Sequence, residues 1–116
     1  MRKELTISTH ALTKFQRRSG RRSMIETLYY LKFVLHDYRC RWYSDPYEVQ
    51  DLGFNITQHT KGDRYAVWHD KVVDEYFCAV VSADNTVVTV LPHTIYDVPR
   101  RQLKYPPKMK QRKRRR

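Results

Sequence analysis

The sequence predicts an α+β domain: two N-terminal helices packed on an antiparallel β-sheet, followed by a basic C-terminal tail. Three observations lead there. Residues 9–36 carry apolar side chains at helical spacing, residues 64–91 are rich in β-branched and aromatic types around one short turn, and residues 100–116 crowd ten Lys and Arg together without a single acid.

Each element has its own signal. Glu4 to Ser8 reads as a short strand, with Leu5 and Ile7 alternating against Thr6 and Ser8. Ser8 or Thr9 can cap the helix that follows, and Gly20 suits the left-handed residue that closes it, so the helix should stop at about Ser19. Ser23 and Glu26 form a capping box for a second helix running to about His36. Its apolar stripe is Met24, Leu28, Leu31 and Leu35, widened by Tyr29 and Phe33. Tyr38 to Tyr43 reads as an exposed edge strand, because Arg39 and Arg41 alternate with Tyr38, Cys40 and Trp42. Ser44-Asp45-Pro46-Tyr47 reads as a turn or loop, Leu52 to Thr57 as a further strand and Lys61-Gly62-Asp63 as a turn. Arg64 to His69, Tyr76 to Ser82 and Thr86 to Leu91 are strands. Ala83-Asp84-Asn85 joins the last two so tightly that they must lie antiparallel. Pro92 ends the last strand, and His93 to Pro99 should run along an edge of the body.

The 116 residues suffice for one domain, residues 1–99, with a single modest core. The net charge of +11 is unevenly spread: residues 1–99 hold 13 basic against 12 acidic side chains, so the excess lies in the tail of residues 100–116. A segment so charged and so poor in apolar periodicity does not fold alone, and a cationic arm of this kind finds polyanions such as RNA or the ribosome. A nuclear address would look similar. No run of about 18 apolar residues and no signal-peptide pattern occurs, so the expected setting is cytoplasmic, with no membrane partner. Cys40 and Cys78 form neither a CxxC pair nor a bridge framework and are expected to be reduced. The five histidines and two cysteines lack zinc-ligand spacing, and there is no P-loop, dinucleotide fingerprint or serine-nucleophile motif, so no cofactor is expected.

The stretch of most chemical interest is Ile7 to Arg22. At 100° per residue, His10, Lys14, Arg17 and Arg18 fall within about 100° of arc, while Ala11, Leu12 and Phe15 take another face. An imidazole beside fixed cations suits an anionic ligand: the cations bind phosphate and the ring moves a proton near neutral pH. Cleaving RNA without metal needs little more. The substrate's own 2′-hydroxyl is the nucleophile, and the protein supplies a base, an acid and cations for the phosphorane.

The run Ser-x-His-Ala-Leu-x-Lys-x-x-x-Arg-Arg, then a loop and an apolar helix, resembles the start of RegB-type phage endoribonucleases and of small domains that open on His-Ala-x-x-Arg. Both are placed in the RelE, barnase and colicin-type superfamily of metal-independent ribonucleases. The likeness covers about thirty residues and the order of helices before strands. It implies a sequence- or context-selective endoribonuclease acting on single-stranded RNA or mRNA, toxin- or phage-encoded, with His10 as base or acid and Lys14 and Arg18 as phosphate clamps, helped by Arg17, Arg21 and Arg22. RegB has arginine where Lys14 stands, which keeps the charge but loses the bidentate fork. The family's second histidine falls on Tyr30 here and does not transfer, leaving His36, His69 and His93. The strand-built active face of RelE-like enzymes favours Arg64 and His69, although strict alternation puts these two on opposite faces unless a bulge intervenes. Thr89, a polar break between Val87 and Leu91, is a further substrate contact. Arg100, Arg101, Lys104, Arg112 and Lys113 would hold RNA from the tail. The alternatives are a non-catalytic RNA- or ribosome-binding protein, or a small phage-type inhibitor of a host protein. An antitoxin or host protein is therefore a partner to consider beside RNA.

Overall fold

The computed structural model describes residues 4–36 and 39–93. The basic tail, the edge segment after His93 and the tail contacts Arg100, Arg101, Lys104, Arg112 and Lys113 lie outside the described residues.

Ser8 ends a strand and starts a helix with one side chain. It follows β1 (Thr6–Ile7) and is the N-cap of α1 (Thr9–Ser19), where its Oγ accepts from the Ala11 N–H at 3.1 Å and donates to the Val88 carbonyl at 3.4 Å. Gly20 closes α1 at φ +73°, the left-handed conformation that costs a glycine nothing, and its N–H bonds the Gln16 carbonyl. For α2 (Met24–His36), Ser23 Oγ accepts from the N–H groups of both Ile25 and Glu26.

The inward face of α2 differs from the expected stripe. Thr27, Leu31, Val34 and Leu35 are buried, whereas Tyr29 is 68% exposed, Phe33 46% and Met24 36%. The reason is Tyr30, which turns inward and stacks on Phe15 of α1 at 5.7 Å, fixing the helix's rotation.

After β2 (Arg41–Tyr43), the segment expected as a loop is a short helix, α3 (Pro46–Asp51). Asp45 caps it through the Tyr47 N–H at 2.9 Å, and Pro46 occupies the first turn, where a missing N–H is harmless. Residues 52–57 are not a strand. Leu52, Phe54 and Ile56 are buried, but their pairing is a single bridge, Phe54 to His93.

The strands β3 (Arg64–Asp70), β4 (Glu75–Val81) and β5 (Thr86–Pro92) form an antiparallel meander, and β2 extends it antiparallel on the β3 side. The order is β1-β5-β4-β3-β2. The sheet is mixed rather than purely antiparallel, because β1 pairs parallel with β5 through Thr6 to Thr86 and Ile7 to Val87.

Both faces of this sheet are covered. On one, Ala11, Phe15, Leu31, Val34 and Leu35 of the helices pack on Ala66, Trp68, Phe77, Ala79 and Val87. Phe15 meets Phe77 edge-on at 5.0 Å and Trp68 at 5.7 Å, and burying an aromatic of that size contributes about 3 kcal/mol. On the other face Val49, Leu52, Phe54 and Ile56 lie over Tyr65, Val67, Cys78 and Val80. The covering of two faces accounts for the nearly unbroken burial along β3 and β4.

Candidate functional site

The expected site residues separate according to the sheet register. Ile7 pairs with Val87, Val87 with Val81, and Val81 with Arg64, so the start of α1 and Arg64 share one end of the sheet. His69 pairs with Tyr76 near the β3–β4 turn. From Arg64 to His69 the strand advances about 16 Å at ordinary rise. Alternation holds along β3: Ala66 and Trp68 face the helices, Tyr65 and Val67 the opposite core. His10 and His69 therefore do not converge.

Several of the expected cations are already committed. Arg21 pairs with Asp70 at 2.6 Å inside the protein, its guanidinium 3.8 Å from the centre of the Tyr30 ring. Arg64 donates to the Ser82 carbonyl at 3.0 Å and to Asn85 Oδ1, and it lies 5.7 Å from the centre of the Trp42 ring. Arg64 thus ties β3 to the β4–β5 turn, where Asn85 adopts φ +68°. His69 Nε2 meets Asp74 Oδ1 at 2.9 Å, with the ring 4.6 Å from that of Tyr76. Burial and the Asp74 charge raise the Tyr76 phenol above its ordinary value.

What remains open is the outer face of α1. His10, Arg17 and Arg18 are exposed and Lys14 half-buried, and none of the four enters an ion pair or a side-chain hydrogen bond among the described residues. The helix carries no acid in its first turn and two arginines in its last. Arg22 is also exposed; its carbonyl accepts from Gln16 Nε2 at 3.1 Å. The chain matches no family model, no curated protein and no solved structure.

Thr89 sits elsewhere than strict alternation implies. The register shifts between Val80 and Val81, so that Val81 faces Val87 while Val80 faces Thr89, and Val88 is the extra residue of a β-bulge. Val87 consequently joins the helix-side core while Thr89 and Leu91 take the other face, where they help line a cleft of about 540 Å³. This cleft lies between residues 55–63 and the β4–β5 hairpin. Its apolar lining residues include Ile56, Val80, Val88 and Leu91. Its rim includes Asn55, Thr57, Gln58 and Thr60, which sequence reasoning missed. The available signal was the polar run from Asn55 to Asp63, broken by Ile56 and Gly62.

Two further histidines serve structure. His93 is buried and donates from Nε2 to the Leu52 carbonyl at 2.6 Å; burial lowers its pKa, against smaller opposing effects from that hydrogen bond and from Glu75. His59 Nδ1 meets the Tyr65 hydroxyl at 2.6 Å, and burial, with Asp63 and Cys78 adding to it, pushes the Tyr65 phenol up to about 12. The phenol therefore keeps its proton at neutral pH. Among the described residues, no three His, Cys, Asp or Glu side chains group as metal ligands would, and no helix is long and apolar enough to cross a membrane.

Proposed function

We propose that this chain binds single-stranded RNA along the outer face of α1 and cleaves it there without metal. The observation that carries the reading is an imidazole, His10, with no side-chain partner among the described residues, on one helical face with Lys14, Arg17 and Arg18, while Arg21 and Arg64 are spent on contacts within the fold. His10 and Lys14, one turn apart, have Cβ atoms within about 6 Å, a span that one ribose-phosphate can bridge.

In this mechanism neutral His10 takes the proton of the 2′-hydroxyl. The 2′-oxygen to phosphorus bond forms as the phosphorus to 5′-oxygen bond breaks, leaving a 2′,3′-cyclic phosphate. The departing 5′-oxygen takes a proton from the Lys14 ammonium, and Arg17 and Arg18 offset the charge on the non-bridging oxygens. His69 has no part in it, being far along the sheet and on the other face. The order of two helices before an antiparallel meander supports the resemblance to RelE-like ribonucleases.

The test is incubation of the purified chain with mixed transcripts in excess chelator, beside His10→Ala. The expected result is cyclic-phosphate ends from the parent and a loss of about 10²- to 10⁴-fold in the variant. Equal cutting by both would overturn the mechanism. Undiminished RNA binding without cutting by either would favour the non-catalytic RNA-binding role.

A further inference from the structure

We infer that the cleft between residues 55–63 and the β4–β5 hairpin receives one nucleobase of the RNA strand, and that it selects adenine and cytosine over uracil. The inference rests on the RNA reading above and names the specificity element of that same site.

Size and chemistry both point to a flat, neutral, polar ligand. A cleft of about 540 Å³ falls within the ordinary range for small-molecule sites, about 300 to 1,000 Å³. The apolar lining of Ile56, Val80, Val88 and Leu91 offers contact for a ring face. The charged lining residues are Lys61, Asp63 and Asp84, a net negative set that repels phosphate. Hydrogen bonds from Ser82 and Thr86 hold the Asp84 carboxyl below the usual carboxylate range, so it stays an acceptor. Asn55 and Gln58 add two carboxamides at the rim, the groups that pair with adenine's N6 and N7, while a carboxylate accepts from cytosine N4. Uracil offers no amino donor to such a lining.

Position links the cleft to α1. Val88 lines the cleft, and its carbonyl accepts from Ser8, the cap two residues before His10. β1 covers β5 only at Thr86 and Val87, so beyond that point no described strand stands between the start of α1 and the cleft. A strand held on the α1 cations would have to pass over the β5 edge to place a base in the cleft on the opposite face of the sheet.

The experiment is a titration of the isotope-labelled full chain with adenosine, cytidine and uridine, followed through the backbone amide resonances of Thr57, Gln58, Ala83 and Val88. Adenosine and cytidine should shift these amides at concentrations about tenfold below uridine, the discrimination one good base contact supplies. The exposed-site double variant Asn55→Ala/Gln58→Ala should bring the adenosine response close to that of uridine. An A-tract oligonucleotide should bind the parent more tightly than a U-tract one by a similar factor. No response to any nucleoside, equal responses to all three, or a preference for adenosine that survives the double variant would overturn the inference. Nucleosides lack phosphate and are not cut. A nucleoside response alongside equal cutting by His10→Ala would thus sink the mechanism and spare the cleft, while cutting without a nucleoside response would do the reverse.

Discussion

The guanidinium of Arg21 meets the carboxylate of Asp70 at 2.6 Å, with the two side chains 8% and 1% exposed and 49 positions apart in the chain. The pair joins the α1–α2 link to the end of β3. Tyr30 and Phe15 cover the guanidinium, and Asp70 Oδ1 also accepts from the Val72 N–H at 2.9 Å. Removing either partner strands a buried charge. Arg21→Met or Asp70→Asn should each lower stability by about 3 to 5 kcal/mol, and Arg21→Met/Asp70→Leu together should cost clearly less than the sum. Urea unfolding of the three variants checks this.

His93 makes stability depend on pH. Its folded-state pKa is lowered from the ordinary 6.5, so around and below that value the unfolded chain binds more protons than the native one. Stability should be level above about pH 7 and fall as the pH drops through 6.5 towards 5. His93→Gln keeps a donor for the Leu52 carbonyl and should flatten this slope while lowering stability at pH 7.5 only modestly. Urea midpoints at pH 7.5 and 5.5 decide it.

The two thiols should be sluggish. Burial pushes Cys40 up to about 11 and Cys78 further still, so little thiolate exists at pH 8. Alkylation of the native chain at pH 8 should run at least tenfold slower than that of a free thiol at both positions, and denaturant should remove the protection. Mass spectrometry of alkylated peptides reads both sites separately.

Salt dependence tests the α1 cations. Each phosphate contact made by a Lys or Arg contributes about 0.7 to the slope of log K against log salt for a single strand. Arg17→Gln and Arg18→Gln should each lower that slope by about this amount in fluorescence anisotropy with a labelled oligonucleotide. Arg21→Met, whose guanidinium is internal, should leave the slope unchanged.

These outcomes follow the division between what local chemistry determines and what tertiary structure adds. The Ser8 and Ser23 caps, the Gly20 stop and the meander strands were legible because each depends on a few neighbouring residues. α3 was missed although Asp45-Pro46 carries a helix-start signature, because a six-residue helix with only Val49 buried leaves no periodic stripe to read. The rotation of α2 is not legible in the sequence, because Tyr30 turns inward to meet Phe15 and Arg21, contacts no window of local sequence contains. At the site, the grouping of His10 with Lys14, Arg17 and Arg18 was legible from helical spacing. The commitment of Arg21 to Asp70, the bulge at Val88 and the cleft were not, since each arises between segments distant in the chain.

The pairing of Thr6 with Thr86 gives the fold an order of assembly. During synthesis β1 has no partner until translation has passed β5, so α1 can coil early yet cannot dock at its working position until almost the whole domain has left the ribosome. Burial of Phe15 against Phe77 and Trp68 is thus among the last packing events of the domain, and the helix-side core closes only when β5 is in place.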